Sequence, residues 1–308
     1  FILIREFLKD SQQEIPDYIN ETIYYLGQGY SLFCQSSVHS YLFNGNHNSN
    51  LDDLDSFLIQ NNYNFKTQIY DLAGYVLLKN KKSSVIIDLG RAADKKFSNN
   101  YQSGLFSFEF TYLDHKIICN SGYFQKINHQ LNNISRSSAA HSTLIIDNCS
   151  NCRFFKDVDG SKYVDSNFKV FEKKIIYQKD IWHINASNDS YLKNYGIIHK
   201  RKLEFSTKNL KLDGQDTLIK KNKFKSSTFE LRFHLDPSAK VTKTIDKKSV
   251  LIEIGDTGWR FTCKDYDLEV DAGLFFGKKN SYVENKNIII FGETTKNDQC
   301  ISWRLEKI

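Results

Sequence analysis

The feature that most restricts the fold is a run pattern that begins near Gln68. From there the chain repeats short stretches rich in β-branched and aromatic side chains, broken by Gly, Asn, Asp and Lys. Tyr75-Val-Leu-Leu78, Ser84-Val-Ile-Ile-Asp88, Thr143-Leu-Ile-Ile-Asp147 and Ile288-Ile-Ile-Phe291 are typical. Such runs are strands, and no helical pattern of any length separates them. Strands in immediate succession build antiparallel sheets stacked face to face, not a parallel sheet with crossover helices. Only two prolines occur, so Asn and Gly serve at the turns, and Asn44-Gly45 and Asp213-Gly214 read as turn dipeptides. No fixed-period repeat supports a propeller or a β-helix.

The first sixty residues carry a different pattern. Phe1 to Lys9 is apolar nearly all round, Pro16 can occupy the first turn of a helix running through Tyr24-Tyr25-Leu26, and Asp52 to Ile59 is a short amphipathic helix. Three short helices make a poor core, so they read as the tail of a larger helical domain. The chain opens on Phe1 and contains no methionine, the expectation for a processed chain or a fragment. The expected division is residues 1–62 as helices and residues 63–308 as an antiparallel β-sandwich.

Composition narrows the function classes. No stretch reaches the roughly 18 to 20 apolar residues of a membrane helix, so membrane insertion is not expected. The net charge of +6 comes from lysines spread along the chain, with Lys220 to Lys225 the nearest approach to a basic tract. No nucleic-acid motif accompanies that charge, and an anionic polysaccharide suits the same balance. Six cysteines in 308 residues are too sparse for a disulfide scaffold. Cys149-Ser-Asn-Cys152 lacks a second pair and the strand-to-helix setting of a redox motif.

The chemistry concentrates in "RSSAAHSTLIID", Arg136 to Asp147. A histidine beside small residues is commonly a satisfied core group, but His141 is also uncrowded, and Arg136 five residues upstream can bring a fixed positive charge to a carboxylate.

Seven pieces in order carry a resemblance. They are "GLFSFEF", "KIICNSGYF", "RSSAAHSTLIID", "WHINASNDSYLKNYGIIHKRKLEF", "LDGQDTL", "LRFHLDP" and "GWRFTC". Together they resemble the heparinase II/III-like polysaccharide lyases. The resemblance implies a mainly β fold, a large antiparallel β-sandwich preceded by the last helices of a truncated α/α toroid, with substrate in the cleft between the two. It implies β-elimination on uronic-acid glycans: a base removes the C5 proton, a neighbouring group neutralises the carboxylate and an acid protonates the departing O4. It places His141 at the family's active-site histidine, as general base or as donor to the uronate, lining an open groove. The tyrosine and asparagine of that mechanism belong to toroid helices absent here, so residues 1–308 alone are expected to be inactive.

The resemblance also implies an acidic polysaccharide as partner and a periplasmic or cell-envelope location. Asn188 and Tyr191, at a strand end, and His199 with Arg201, on one strand face by two-residue spacing, are the remaining substrate-binding candidates. His199 can equally face solvent. His183, His234, Trp182, Trp259 and Trp303 sit in alternating strand patterns and read as sheet or core residues. Relatives carry histidines where this chain has Asn100-Tyr101-Gln102-Ser103, and a second signature histidine where it has Thr143. No metal and no other cofactor is therefore expected. Two rival readings stand beside the lyase: a non-catalytic carbohydrate-binding or structural sandwich of the cell envelope, and an enzyme of this shape acting on its own cell's envelope polymer.

Overall fold

The computed structural model describes residues 1–34, 40–46, 52–126, 128–157, 160, 162–164, 167–221, 224–277 and 281–308. They form two compact units, residues 1–40 with 49–72 and residues 41–48 with 73–308.

The smaller unit holds three helices: α1 (Ile2–Asp10), α2 (Asp17–Phe33) and α3 (Asp52–Gln60). Pro16 stands immediately before α2, where its missing N–H costs no intrahelical bond. Asp52, Asp53 and Asp55 place negative charge at the positive end of α3. No residue of α1 is buried, and Leu3, Ile4 and Phe7 are exposed, as are Tyr24, Tyr25 and Leu26 of α2.

The larger unit is a stack of antiparallel sheets. One sheet has eight strands in the order Lys240–Lys243, Ser249–Ile254, Thr257–Thr262, Gln299–Lys307, Lys211–Lys220, Ile197–Ser206, Ile181–Asn188 and Val170–Tyr177. A second has four, in the order Leu268–Phe275, Val283–Glu293, Thr228–His234 and Leu144–Ile146. In a third, Tyr75–Lys79, Ser83–Asp88, Phe108–Tyr112 and His115–Ile118 follow one another as a meander. Bridges from Cys119 to His234 and from Gly122 to Phe276 join the third sheet to the second. Together they cover the face of the eight-stranded sheet.

Alternation drives this stacking. Along Ile197–Ser206 every second residue is buried, so one face of the strand is core. Aromatic rings fill the space between sheets: Phe108 stacks on Trp303 with centroids 5.6 Å apart, Phe233 meets Trp303 edge-on at 4.8 Å, and Phe110 meets Trp259 at 5.3 Å. Burying each such ring stabilises the fold by roughly 1.5–3 kcal/mol. Trp182, Trp259 and Trp303 are thus core residues.

Two local expectations need correction. Asn44-Gly45 is a turn with both residues at positive φ, but Asp213-Gly214 lies inside the strand Lys211–Lys220. Gly214 pairs with Trp303, and a Cβ there would come within 2.0 Å of the indole; the glycine lets the ring lie across the strand. A helix does interrupt the strands: α4 (Gln130–Arg136), only two turns long, with His129 Nδ1 accepting from the Leu131 N–H as its cap. Lys220 ends its strand, and residues 222–223 of the basic tract lie outside the described residues.

Candidate functional site

Helix α4 delivers the chain to a 3-10 turn, Ser138–Ala140, and then to His141. The imidazole is fully buried, so the expectation that it lines an open groove is overturned. Its Nδ1–H donates to the Ser137 carbonyl at 2.8 Å, closing the turn on itself. The neighbours are tied as tightly. Ser142 N–H donates to Asn120 Oδ1 at 3.0 Å, Ser142 Oγ to the Cys119 carbonyl at 2.7 Å, and Thr143 Oγ1 to the Leu105 carbonyl at 2.7 Å. Asn120 is fixed in turn by Glu109, which accepts its backbone N–H and pairs with Lys116 at 2.8 Å in the interior. Burial lowers the His141 pKa to about 4, so the ring is neutral.

Gly104 explains how the ring fits. A Cβ on Gly104 would lie 2.9 Å from His141 Cδ2, 3.3 Å from Nε2 and 3.1 Å from Ser107 Oγ. Nε2 and Ser107 Oγ are both buried, and neither has a hydrogen-bond partner among the described residues.

The other sequence-predicted residues are buried as well and make hydrogen bonds within the fold. Arg136 donates to the carbonyls of Asn99 at 2.6 Å and Ser98 at 2.9 Å, and its guanidinium lies over Phe154. Asn188 Oδ1 accepts from the Ser190 N–H and hydroxyl, an Asx turn that ends the strand. The Tyr191 hydroxyl is shared between the carbonyls of Leu144 and Cys149. His199 and Arg201 do share a face, but it is the core face: both donate to Asp216 Oδ1, at 2.7 and 2.6 Å. Arg201 Nη1 continues to the carbonyls of Phe106 and Ser142, so it positions the strand that follows His141. Burial pushes the Asp216 carboxyl upward, but Arg201 and His199 outweigh it and hold the group well below the usual carboxylate range. Burial lowers the His199 pKa, although Asp216 opposes it. His234 is likewise interior, donating to the Ala139 carbonyl and accepting from Ser121.

Among the described residues the larger unit also holds open space that could take a ligand. A cavity of about 1220 Å³ is lined by Asn44, Tyr75, Asp88, Arg91, Tyr101 and Phe168, among others. Asn44 Nδ2 donates to the Tyr75 hydroxyl, and its Oδ1 accepts the Gln102 N–H. Asp88 accepts the Gly90 N–H at 2.9 Å, yet burial outweighs that bond and raises its pKa to about 7. Burial first, and Asp88 second, push the phenols of Tyr75 and Tyr101 well above their ordinary value. Asn44, Tyr75, Tyr101 and Asp88 thus give the wall hydrogen-bonding groups for an oxygen-rich ligand, and Asp88 can take a proton near neutral pH. In the sequence Asp88 is simply the last residue of the run Ser84-Val-Ile-Ile-Asp88; only the fold brings Asn44, Tyr75 and Tyr101 beside it.

The family profile described as Heparinase II/III-like, C-terminal, matches residues 68–304. The chain belongs to the heparinase II/III-like family. The fold agrees: the heparan sulfate lyase HepC from Pedobacter heparinus superposes with a TM-score of 0.74 at 13% identity, over 95% of this chain and 47% of that one. A heparinase III gene product gives 0.73 at 12% identity, over 96% and 47%, and a second heparinase III structure gives 0.65 at 15%, over 94% and 47%. The chain thus spans about half the length of these structures. No curated protein matches it in sequence.

A metal at the heparinase-like signature does not fit this chain. Thr143 Oγ1 is spent on Leu105, and Gln102 is spent on Gly45, Gly122 and Ser135, which leaves His141 Nε2 as a lone donor. Among the described residues, no three His, Cys, Asp or Glu side chains converge. Nor is any described helix long and apolar enough to cross a membrane.

Proposed function

We propose that this chain is the sandwich portion of a polysaccharide lyase that acts on a uronate-containing anionic glycan by β-elimination, with residues 1–62 closing an α/α toroid and the protein exported to the periplasm or envelope. The glycan lies in the cavity beside Asp88, not against His141. The observation that carries this reading is the cavity itself: about 1220 Å³, walled by phenols, amides, the carboxyls of Asp88, Asp94 and Asp189, and the cations Arg91 and Lys169, within a family fold shared with heparan sulfate lyases. Such a wall suits hydroxyls and carboxylates, because Asp88 need not be ionised beside a bound anion. The base's role is not given to His141, whose ring is closed off from solvent.

Elimination leaves a C4–C5 double bond conjugated to the carboxylate, which absorbs ultraviolet light. Incubating the full-length protein with a panel of uronate polymers tests the proposal: new absorbance on at least one supports it, and none on any, with binding retained, refutes it. A non-catalytic glycan-binding sandwich is the second reading. It is favoured by the burial of all six sequence-predicted site residues, each hydrogen-bonded within the fold.

A further inference from the structure

Beyond the Asp88 cavity, the larger unit carries a second cavity of about 540 Å³. Its cations are Arg153, Lys193 and Lys225, arriving from three separate segments, and the carboxylate among its lining residues is Asp189. Ser150 and Asn194 are among the polar side chains between them. Arg153, Lys193 and Lys225 are all exposed. Lys225 reaches Asp147 only at 3.6 Å, a loose pair with most of the lysine in water. Asp189 is occupied, its Oδ1 accepting the Lys169 N–H at 2.6 Å. Positive charge therefore prevails inside a concave space, where the field of grouped charges is strongest.

The position of this cavity gives the charge a purpose. Phe168 and Asp189 line both cavities, so the two share one wall. A ligand that outgrows the Asp88 cavity on that side enters the basic one. We infer that the Arg153–Lys193–Lys225 cavity is a second saccharide subsite, which takes the anionic substituent, a sulfate ester or a carboxylate, of the sugar adjoining the one held beside Asp88. This rests on the anionic-glycan reading above and adds to it a polymer register: one sugar held beside Asp88 and Arg91, and the anionic group of the next held in the basic cavity.

The test uses full-length protein and three probes: heparan sulfate, the same polymer after desulfation, and the same polymer after carboxyl reduction. Binding is measured by calorimetry at low and high salt. Replacing Arg153, Lys193 and Lys225 together by glutamine should weaken the best-bound probe by about tenfold at low salt, with the gap closing at high salt. A control triple at Lys208, Lys264 and Lys296, exposed lysines away from both cavities, removes the same charge and should change binding less than twofold. Loss of affinity on desulfation identifies the sulfate ester as the recognised group, and loss on carboxyl reduction identifies the carboxylate. Equal binding by wild type and the cavity triple, or equal weakening by both triples, overturns the subsite and leaves the glycan reading standing. Failure of the wild type to bind any probe overturns both.

Discussion

Arg201 and Asp216 face each other across adjacent strands and meet at 2.6 Å with neither side chain exposed. The same carboxylate accepts His199 at 2.7 Å through Oδ1 and the Trp303 indole N–H at 2.9 Å through Oδ2. Asp216 is thus the point at which the eight-stranded sheet, the Phe106 segment and the carbonyl after His141 are fastened together. Of these residues, His199 and Arg201 are the ones that the sequence offers as substrate-binding candidates.

Removing Arg201 leaves the buried Asp216 carboxylate without its arginine counter-ion, held among the described residues only by His199 and the Trp303 indole. Arg201→Met should cost about 3–5 kcal/mol of stability, while Arg201→Met combined with Asp216→Leu should recover part of it. Denaturant unfolding midpoints of the two variants check this. A single variant within about 0.5 kcal/mol of wild type contradicts the structural role.

The contact at Gly104 makes a steric prediction. Gly104→Ala puts a methyl 2.9 Å from the His141 ring, and the signature segment is too strongly tied to retreat. A loss of about 1–3 kcal/mol is expected, read as a lower unfolding temperature. Unchanged stability would mean that the ring is free to move out.

The buried titratable groups fix the sign of the pH dependence. His141 and His234 have folded pKa values lowered to about 4 and about 3, below their ordinary 6.5. The unfolded chain then binds more protons than the folded one, so these groups stabilise the fold above about pH 6.5, and that stability is lost as pH falls towards 4. Asp88, raised to about 7 from 3.8, acts in the opposite sense: its contribution is complete below its unfolded pKa and is lost as pH rises through 7. His141→Asn should flatten the acid limb of a stability–pH curve, and Asp88→Asn should raise stability near pH 8. Reversal of either change contradicts the burial of that group.

The strand-rich body was legible because alternation and β-branched runs are local signals, and the aromatic core followed from them. The direction in which polar strand residues point was not. His199 and Arg201 share a face by spacing alone, but whether that face meets water depends on Asp216 and Trp303, in strands distant in sequence. Asp213-Gly214 looked like a turn because the dipeptide is common there, and only the indole packed against it requires the glycine within a strand. The α4 helix was missed for want of length and of an ordinary cap. The Asp88 cavity draws on residues 44, 75, 88 and 101, a grouping that exists only after the meander forms.

The most direct measurement compares two variants for affinity towards one uronate oligosaccharide in the same calorimeter. Arg91→Gln alters the cavity beside Asp88, and His141→Asn alters the buried signature. The expected result is affinity about three- to tenfold weaker for Arg91→Gln, a loss of about 0.7–1.4 kcal/mol, and unchanged for the folded His141→Asn protein. Weakened binding by His141→Asn with Arg91→Gln unaffected would place the glycan at the signature histidine and contradict the assignment of the site.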